Sequence, residues 1–405
     1  MNQSVLFMQD FVDIVPLRKN RIFWGANLAA YENYKTSGVD AHLAGSATPA
    51  LSLDELIALS TDPATTSQSL DFSKVKLSPA AGASEEALRG QIASLYKGVK
   101  ARDIVIANVT TGANFVAFQA LLSAGDHAVC MYPCYSPLFE IPKALGCEIS
   151  FWRLSFETNW TADTESLKSL LKAETKMIII NNQNNPTGST LPNAQQQAIV
   201  DIANERNLII YRDEIFRPLF HVASNFIAVP RSLVDVSSGH KNTVATGSQS
   251  KAWGLSGVRI GWIATRAFEL RQRMLNVHSY ILLTMSKVDG LIASEALSHR
   301  CRPAIIRKHL EIASQNLSSF DDFIKDHHNQ VSWIRPSGGD GFFSIFQFED
   351  WRVSRRSAFM LQTDGMRWAF LSVLEAYALA LRERAISRIY KDPPYSVVGN
   401  FSKTA

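Results

Sequence analysis

The chemistry of this 405-residue chain is most legible at Lys251. It lies in GSQSKAWGLSGVRIGW (247–262), just after a β-branched run, with Ser248, Ser250 and Arg259 near it in sequence. An amine so placed can condense with a carbonyl, and neighbouring hydroxyl and guanidinium groups are donors suited to a phosphate dianion. Taken alone, a lysine is more often an ordinary exposed side chain. Its flanking pattern, and three further segments, argue otherwise.

TTGANFVAFQALLSAGD (110–126) puts Gly112, Ala113 and Asn114 where a strand ends and a helix begins. Free backbone N–H groups and the helix dipole can face an anion there, although a plain strand-to-helix turn has the same form. NNQNNPTG (181–188) closes with a turn that can aim the Asn185 amide at a ligand oxygen, and many such Asn-Pro turns are only turns. YRDEIF (211–216) ends a buried-looking strand on Asp213, whose carboxylate needs a cationic or hydrogen-bonding partner. The competing readings of Asp213 are a helix cap or a surface ion pair; Glu214 is the weaker candidate of the two acids.

These residues require elements to hold them. From about residue 100, short β-branched runs alternate with amphipathic stretches, the pattern of βαβ units and a mostly parallel sheet. Strands are predicted at 104–109, 127–132, 148–154, 176–182, 208–214, 244–250 and 258–264, with helices in FVAFQALLSA, DTESLKSLLKAE and NAQQQAIVDIANER. Long helical patterns at about 266–298 and 302–328 precede a return to turn and strand in PSGGDGFFSIFQF. Ligands of such sheets bind beyond the carboxyl ends of the strands.

Composition narrows the classes. A hydrophobic content of 46% over this length supports a large core, and the net charge of +4 arises from 41 basic and 37 acidic residues without a like-charge block. That leaves no nucleic-acid or membrane footprint. The four cysteines form no CxxC pair or zinc spacing, so reduced thiols and no metal are expected. The first twenty residues lack a signal-peptide pattern, and the expected location is the cytosol. No GxGxxG follows the early strands, and HExxH is absent, which disfavours nucleotide and zinc-protease chemistry.

In order and spacing, the segments resemble class I/II aminotransferases of pyridoxal 5′-phosphate (PLP) fold type I over about residues 75–300. That resemblance implies a large α/β domain over 50–300 with a mostly parallel sheet flanked by helices. A smaller, abbreviated α+β domain would come from 1–49 and 301–405. It implies PLP as cofactor, Lys251 as Schiff-base lysine and proton shuttle, Asp213 on the pyridine nitrogen and Asn185 on the ring 3′-oxygen. Gly112, Ala113, Asn114, Ser248, Ser250 and Arg259 would surround the phosphate, and Tyr135 in YPCYSPLFE would stack on the ring, unless it is simply a core tyrosine. A homodimer is implied as well. PAAGASEEALRGQIASLY and ALGCEISFWRL further resemble a subgroup of capreomycidine synthase-like and arginine-oxidising proteins.

The pattern departs from the family in three places. Phe216 stands where a tyrosine usually donates to the 3′-oxygen, and the tyrosine usually sent to the phosphate by a partner subunit falls near Leu77. Only WRVSRRSAFMLQTDGM separates FFSIFQFED from the element GMRWAFLSVLEAYALALRERAI, whose Arg367 would clamp a substrate α-carboxylate. An altered reading frame or splice after about 350 is the rival account of that stretch. The expected activity is transfer of an amino group from an amino acid to a 2-oxo acid in amino-acid metabolism or biosynthesis. A lyase, cyclase or oxygen-using oxidase is the alternative, and an impaired protein acting by binding is the third.

Overall fold

The computed structural model describes residues 48–79, 83–221, 230–236, 240–326, 328 and 331–338, with the backbone alone of three strands between 343 and 372. All seven strands read from the α/β pattern are present. They are β1 (Ile104–Asn108), β2 (His127–Tyr132), β3 (Glu148–Arg153), β4 (Thr175–Asn181), β5 (Ile209–Asp213), β6 (Thr243–Ser248) and β7 (Ile260–Ala264). They form one sheet in the order β1-β7-β6-β5-β4-β2-β3, parallel except for β7, which runs antiparallel to both neighbours.

The central strands are apolar without alternation because both faces are covered. On β4 every residue except Lys176 is buried. Successive side chains of a strand point to opposite faces, and the core divides accordingly. Met177, Ile179 and Tyr211 join Ala113 and Phe118 in one cluster, whereas Ile178, Ile180 and Ile210 join Trp152 and Ile199 in another. Tyr211 and Asp213, two positions apart on β5, therefore share a face, and Arg212 and Glu214 belong to the opposite one.

The helices in chain order are α1 (Leu53–Ala58), α2 (Pro63–Ser69), α3 (Ala83–Ala93), α4 (Val109–Leu121), α5 (Pro137–Ala144) and α6 (Thr164–Leu170). They continue with α7 (Asn193–Glu205), α8 (Leu233–Val236), α9 (Phe268–Ile281), α10 (Lys287–Ala296) and α11 (Arg302–Asp326). Ser52 and Glu55 close α1 with a capping box, and Asp163 and Ser286 accept from the first-turn N–H groups of α6 and α10. None of the described helices is long and apolar enough to cross a membrane.

Three details differ from the sequence reading. Helix α4 begins at Val109, directly after β1, rather than near Phe115. The β-branched Val-Thr-Thr run reads as a strand's continuation, but Val109 turns the chain with φ of 49°. Strand β6 stops at Ser248, so Ser250 and Lys251 occupy the turn after it. The predicted helical stretch from 266 to 298 is two helices, broken between Ile281 and Lys287.

After α11 the backbone enters a second, antiparallel sheet in the order β10-β11-β9-β8. Its strands are β8 (Val331–Trp333), β9 (Phe343–Phe348), β10 (Phe359–Thr363) and β11 (Met366–Ser372). Strand β10 pairs antiparallel with β11, Thr363 opposite Met366. Residues 1–47 and 373–405, on which part of the predicted small domain falls, lie outside the described residues.

Candidate active site

The carboxyl ends of β4, β5 and β6 come level: Asn181 pairs with Asp213, and Asp213 with Thr246. Asp213 is the charged residue of this edge that faces α4. It is 1% exposed, and its carboxylate accepts from the Ile215 N–H at 3.0 Å. Burial pushes its carboxyl up to about 7; the Ile215 N–H and the Asn114 amide act in the other direction, as does the charge of Lys251. A buried acid in this condition favours a cation opposite it.

Glu214 is also buried but faces away. Its Oε1 lies 3.1 Å from Arg212 Nε and accepts from Ser232 Oγ and the Leu233 N–H, each at 3.0 Å. Arg212 donates Nη1 to Gln196 Oε1 at 2.5 Å. One strand thus carries a paired, structural charge on one face and a titratable acid on the other.

The first turn of α4 forms the next wall. Four N–H groups at a helix start lack intrahelical acceptors. Val109 uses its own on Arg259 O at 3.1 Å, which leaves those of Thr110, Thr111 and Gly112. Ala113 and Asn114, included in the predicted cradle, sit deeper in the helix and are fully buried, so the open N–H groups lie two residues earlier than the sequence placed them. The same contact brings the Arg259 backbone to the helix start. Arg259 adopts a left-handed conformation, φ 57°, and its exposed guanidinium donates Nη1 to Ser256 O at 2.9 Å. Gly261 explains the close approach, since a Cβ there would stand 2.4 Å from the Val109 carbonyl carbon.

Ser248 Oγ accepts from the Ser250 N–H at 3.1 Å, while Ser250 Oγ is buried with no partner. Lys251 follows at once, its carbonyl accepting from Thr48 Oγ1 at 2.5 Å. In the NNQNNPTG turn, the Asn185 N–H donates to Asn181 Oδ1 at 2.7 Å and Asn182 N–H to Asp213 O at 3.0 Å, which ties the Asn185 turn to the end of β5. Gly188, at φ of +64°, accepts through its carbonyl from the N–H groups of Ser337 and Gly338, so the turn also meets the chain after α11.

Tyr135 is 37% exposed while its hydroxyl is largely enclosed; burial and the charge of Asp213 raise its pKa, and a bond to Thr111 opposes them. Phe216 is 1% exposed. Arg367 is on β11 opposite Gln362, with its side chain outside what is described.

The sequence reading named Asn114 at the phosphate, but its contacts, and those of Thr110, Tyr211 and the Cys130–Cys134 pair, carried no sequence signal. Thr110 Oγ1 and Asn114 Nδ2 are buried without partners. Tyr211 donates its hydroxyl to Asn114 Oδ1 and lies 3.2 Å from Thr246 Oγ1. Cys130 and Cys134 approach to 3.7 Å between sulfurs, and burial holds the Cys134 thiol well above its usual range. No group of three or more potential metal ligands occurs among the described residues. A tyrosine two residues before an acid marks a shared strand face, and that alternation was the one available clue.

The family model for aminotransferase class I and II matches residues 62–350. The chain belongs to this family. Similar proteins include an aspartate aminotransferase of Pyrococcus horikoshii, 28% identical over 57% of this chain and 58% of its own length. A capreomycidine synthase of Streptomyces vinaceus is 24% identical over 65% of each. The chain therefore spans between about three-fifths and two-thirds of these two relatives. A PLP-dependent aminotransferase from Streptococcus suis has the same fold, with a TM-score of 0.72 and 27% identity over 91% of this chain and 98% of that one.

Family membership makes PLP the cofactor to be fitted. The site of this family member has what a planar cationic heterocycle bearing a phosphate requires. Asp213 favours a cation, Lys251 acts on it electrostatically, and Thr110 Oγ1 and Ser250 Oγ are unpartnered polar groups near an open helix start. The residues fit the group.

Proposed function

We propose that this protein is a PLP-dependent aminotransferase that moves an amino group from an amino acid to a 2-oxo acid. The observation carrying the proposal is Asp213: a buried carboxyl at about 7, under the influence of Lys251, at the carboxyl edge of a family-typical sheet. Asp213 would hold a proton on the ring nitrogen, and Asn185 would bond the 3′-oxygen. Tyr135 would lie over the ring face, and Ser248, Ser250 and Arg259, with the N–H groups around Gly112, would hold the phosphate.

When bound, PLP supplies a carbonyl for amine exchange and a sink for the electrons left at the substrate Cα. Lys251 Nζ would anchor it and would be the amine available to take the Cα proton and return it. Asp213 would keep the ring nitrogen protonated. Arg367 is assigned to the substrate α-carboxylate on the family pattern alone.

The replacement of a hydroxyl donor by Phe216, buried at 1% exposure, favours a second reading: a PLP-dependent lyase, cyclase or oxidase. One assay separates the two. Purified protein with candidate amino acids and 2-oxoglutarate should form glutamate; release of ammonia or oxygen uptake without glutamate would overturn transamination. Lys251→Ala should abolish turnover in either case.

The proposal extends to a homodimer in the cytosol, with residues 50–300 as the large domain and the terminal segments as the small one. In support, Leu77, Tyr280 and Leu283 are 85%, 93% and 75% exposed on this chain, large apolar side chains that a partner subunit would cover. The free cysteines accord with a reducing compartment.

A further inference from the structure

A buried hydrogen-bonded chain runs behind Asp213, and two of its members, Tyr211 and Thr246, have no part in the roles assigned so far. Tyr211, Asn114 and Thr246 are each 0% exposed. Tyr211 donates its hydroxyl to Asn114 Oδ1, with Thr246 Oγ1 at 3.2 Å from the same hydroxyl and 3.5 Å from Arg212 O. Asn114 Nδ2 makes no hydrogen bond of good geometry, yet the amide lies close enough to Asp213 to favour its charged form.

Only one orientation of the amide is compatible with an ionised Asp213. If Nδ2 were turned to the tyrosine, Oδ1 would face the carboxylate, acceptor against acceptor in a buried site. With Tyr211 donating to Oδ1, Nδ2 is the end of the amide left to support the carboxylate. Burial and the charge of Asp213 hold the Tyr211 hydroxyl well above its ordinary range, so it remains a neutral donor.

We infer that Tyr211 is a positioning residue that acts through Asn114. Its hydroxyl fixes the amide so that Nδ2 supports Asp213 as an anion, and thereby strengthens the pairing of Asp213 with a protonated ring nitrogen. Tyr211 touches neither cofactor nor substrate in this scheme. The inference rests on the PLP reading above, and the test distinguishes the two.

The test is binding to cofactor-free protein, measured by fluorescence or calorimetry, of PLP and of its 1-deaza analogue. The analogue keeps the aldehyde and phosphate but has carbon in place of the ring nitrogen. Tyr211→Phe should weaken PLP about tenfold, the scale of losing support for one charge-assisted bond, and leave the 1-deaza analogue within about twofold. General damage to the pocket would weaken both ligands alike. Asn114→Ala should reproduce the selective loss, and adding Tyr211→Phe to it should cost nothing more, because the tyrosine works through the amide. Equal losses for the two ligands, or additive losses in the double variant, overturn the inference. If the unaltered protein binds the analogue as tightly as PLP, the ring-nitrogen pairing itself is wrong; if it binds neither, the cofactor reading falls, and the inference with it.

Discussion

Asp213 is a carboxyl whose surroundings raise it from an ordinary 3.8 to about 7. In cofactor-free protein the folded state then holds a proton that the unfolded chain has released over that interval. Stability should fall as pH rises from about 4 to 7, by on the order of 4 kcal/mol in total. Asp213→Asn should flatten the slope, so that at pH 8 the cofactor-free variant has the higher urea midpoint, while its PLP affinity drops. A variant as pH-sensitive as the parent would assign the slope elsewhere. Lys251 and Asp213 stood out as candidates because a lysine after SQS and an acid at the end of a strand occur together with the NPTG turn in one chain. Thr110, and the contacts of Asn114, were harder, since nothing in residue type announces that a particular oxygen or nitrogen will lack a hydrogen bond. Only the packed structure shows that.

At the scale of elements, the seam between α4 and β7 positions the anion-binding wall. Gly261→Ala would drive a methyl group toward Val109 backbone atoms only 2.4 to 2.7 Å away. The helix start must then move, because backbone, unlike a side-chain tip, cannot swing aside. The expected cost is about 1–3 kcal/mol of stability, read as a lower melting temperature, with a larger proportional loss in binding of PLP than of pyridoxal, which lacks the phosphate. Equal losses for the two would separate this glycine from the phosphate. The sheet itself was legible because long Val/Ile runs such as KMIIINN have no other comfortable place than between two layers. The start of α4 was not, because Val-Thr-Thr has strand-like propensity and yields to the local turn at Val109.

For the whole molecule, the sequence foretold a second region after the parallel sheet, and an antiparallel sheet of four strands lies there. Its meeting with the first is visible in the bonds from Ser337 and Gly338 to Gly188. Which surface meets a partner was not legible in residue types, because exposed apolar residues are common and acquire meaning only when they gather. Tyr280 and Leu283 close α9 within four residues of one another, both largely exposed. Light scattering at micromolar concentration should give twice the chain mass, and Tyr280→Lys with Leu283→Lys should shift the protein toward monomer with loss of activity. A monomer with full turnover would refute the shared-site arrangement.

The unpartnered Thr110 Oγ1 and Ser250 Oγ have a consequence for the cell. A chain that folds around buried polar atoms without partners is held up by whatever supplies those partners, and a ligand that binds only the folded form raises its population by mass action. Proteases sample the unfolded fraction continuously, so a shift of one or two kcal/mol alters steady-state amounts several-fold. Cells short of vitamin B6 should therefore contain less of this protein at unchanged messenger level, with its half-life set by diet or medium as much as by its own sequence.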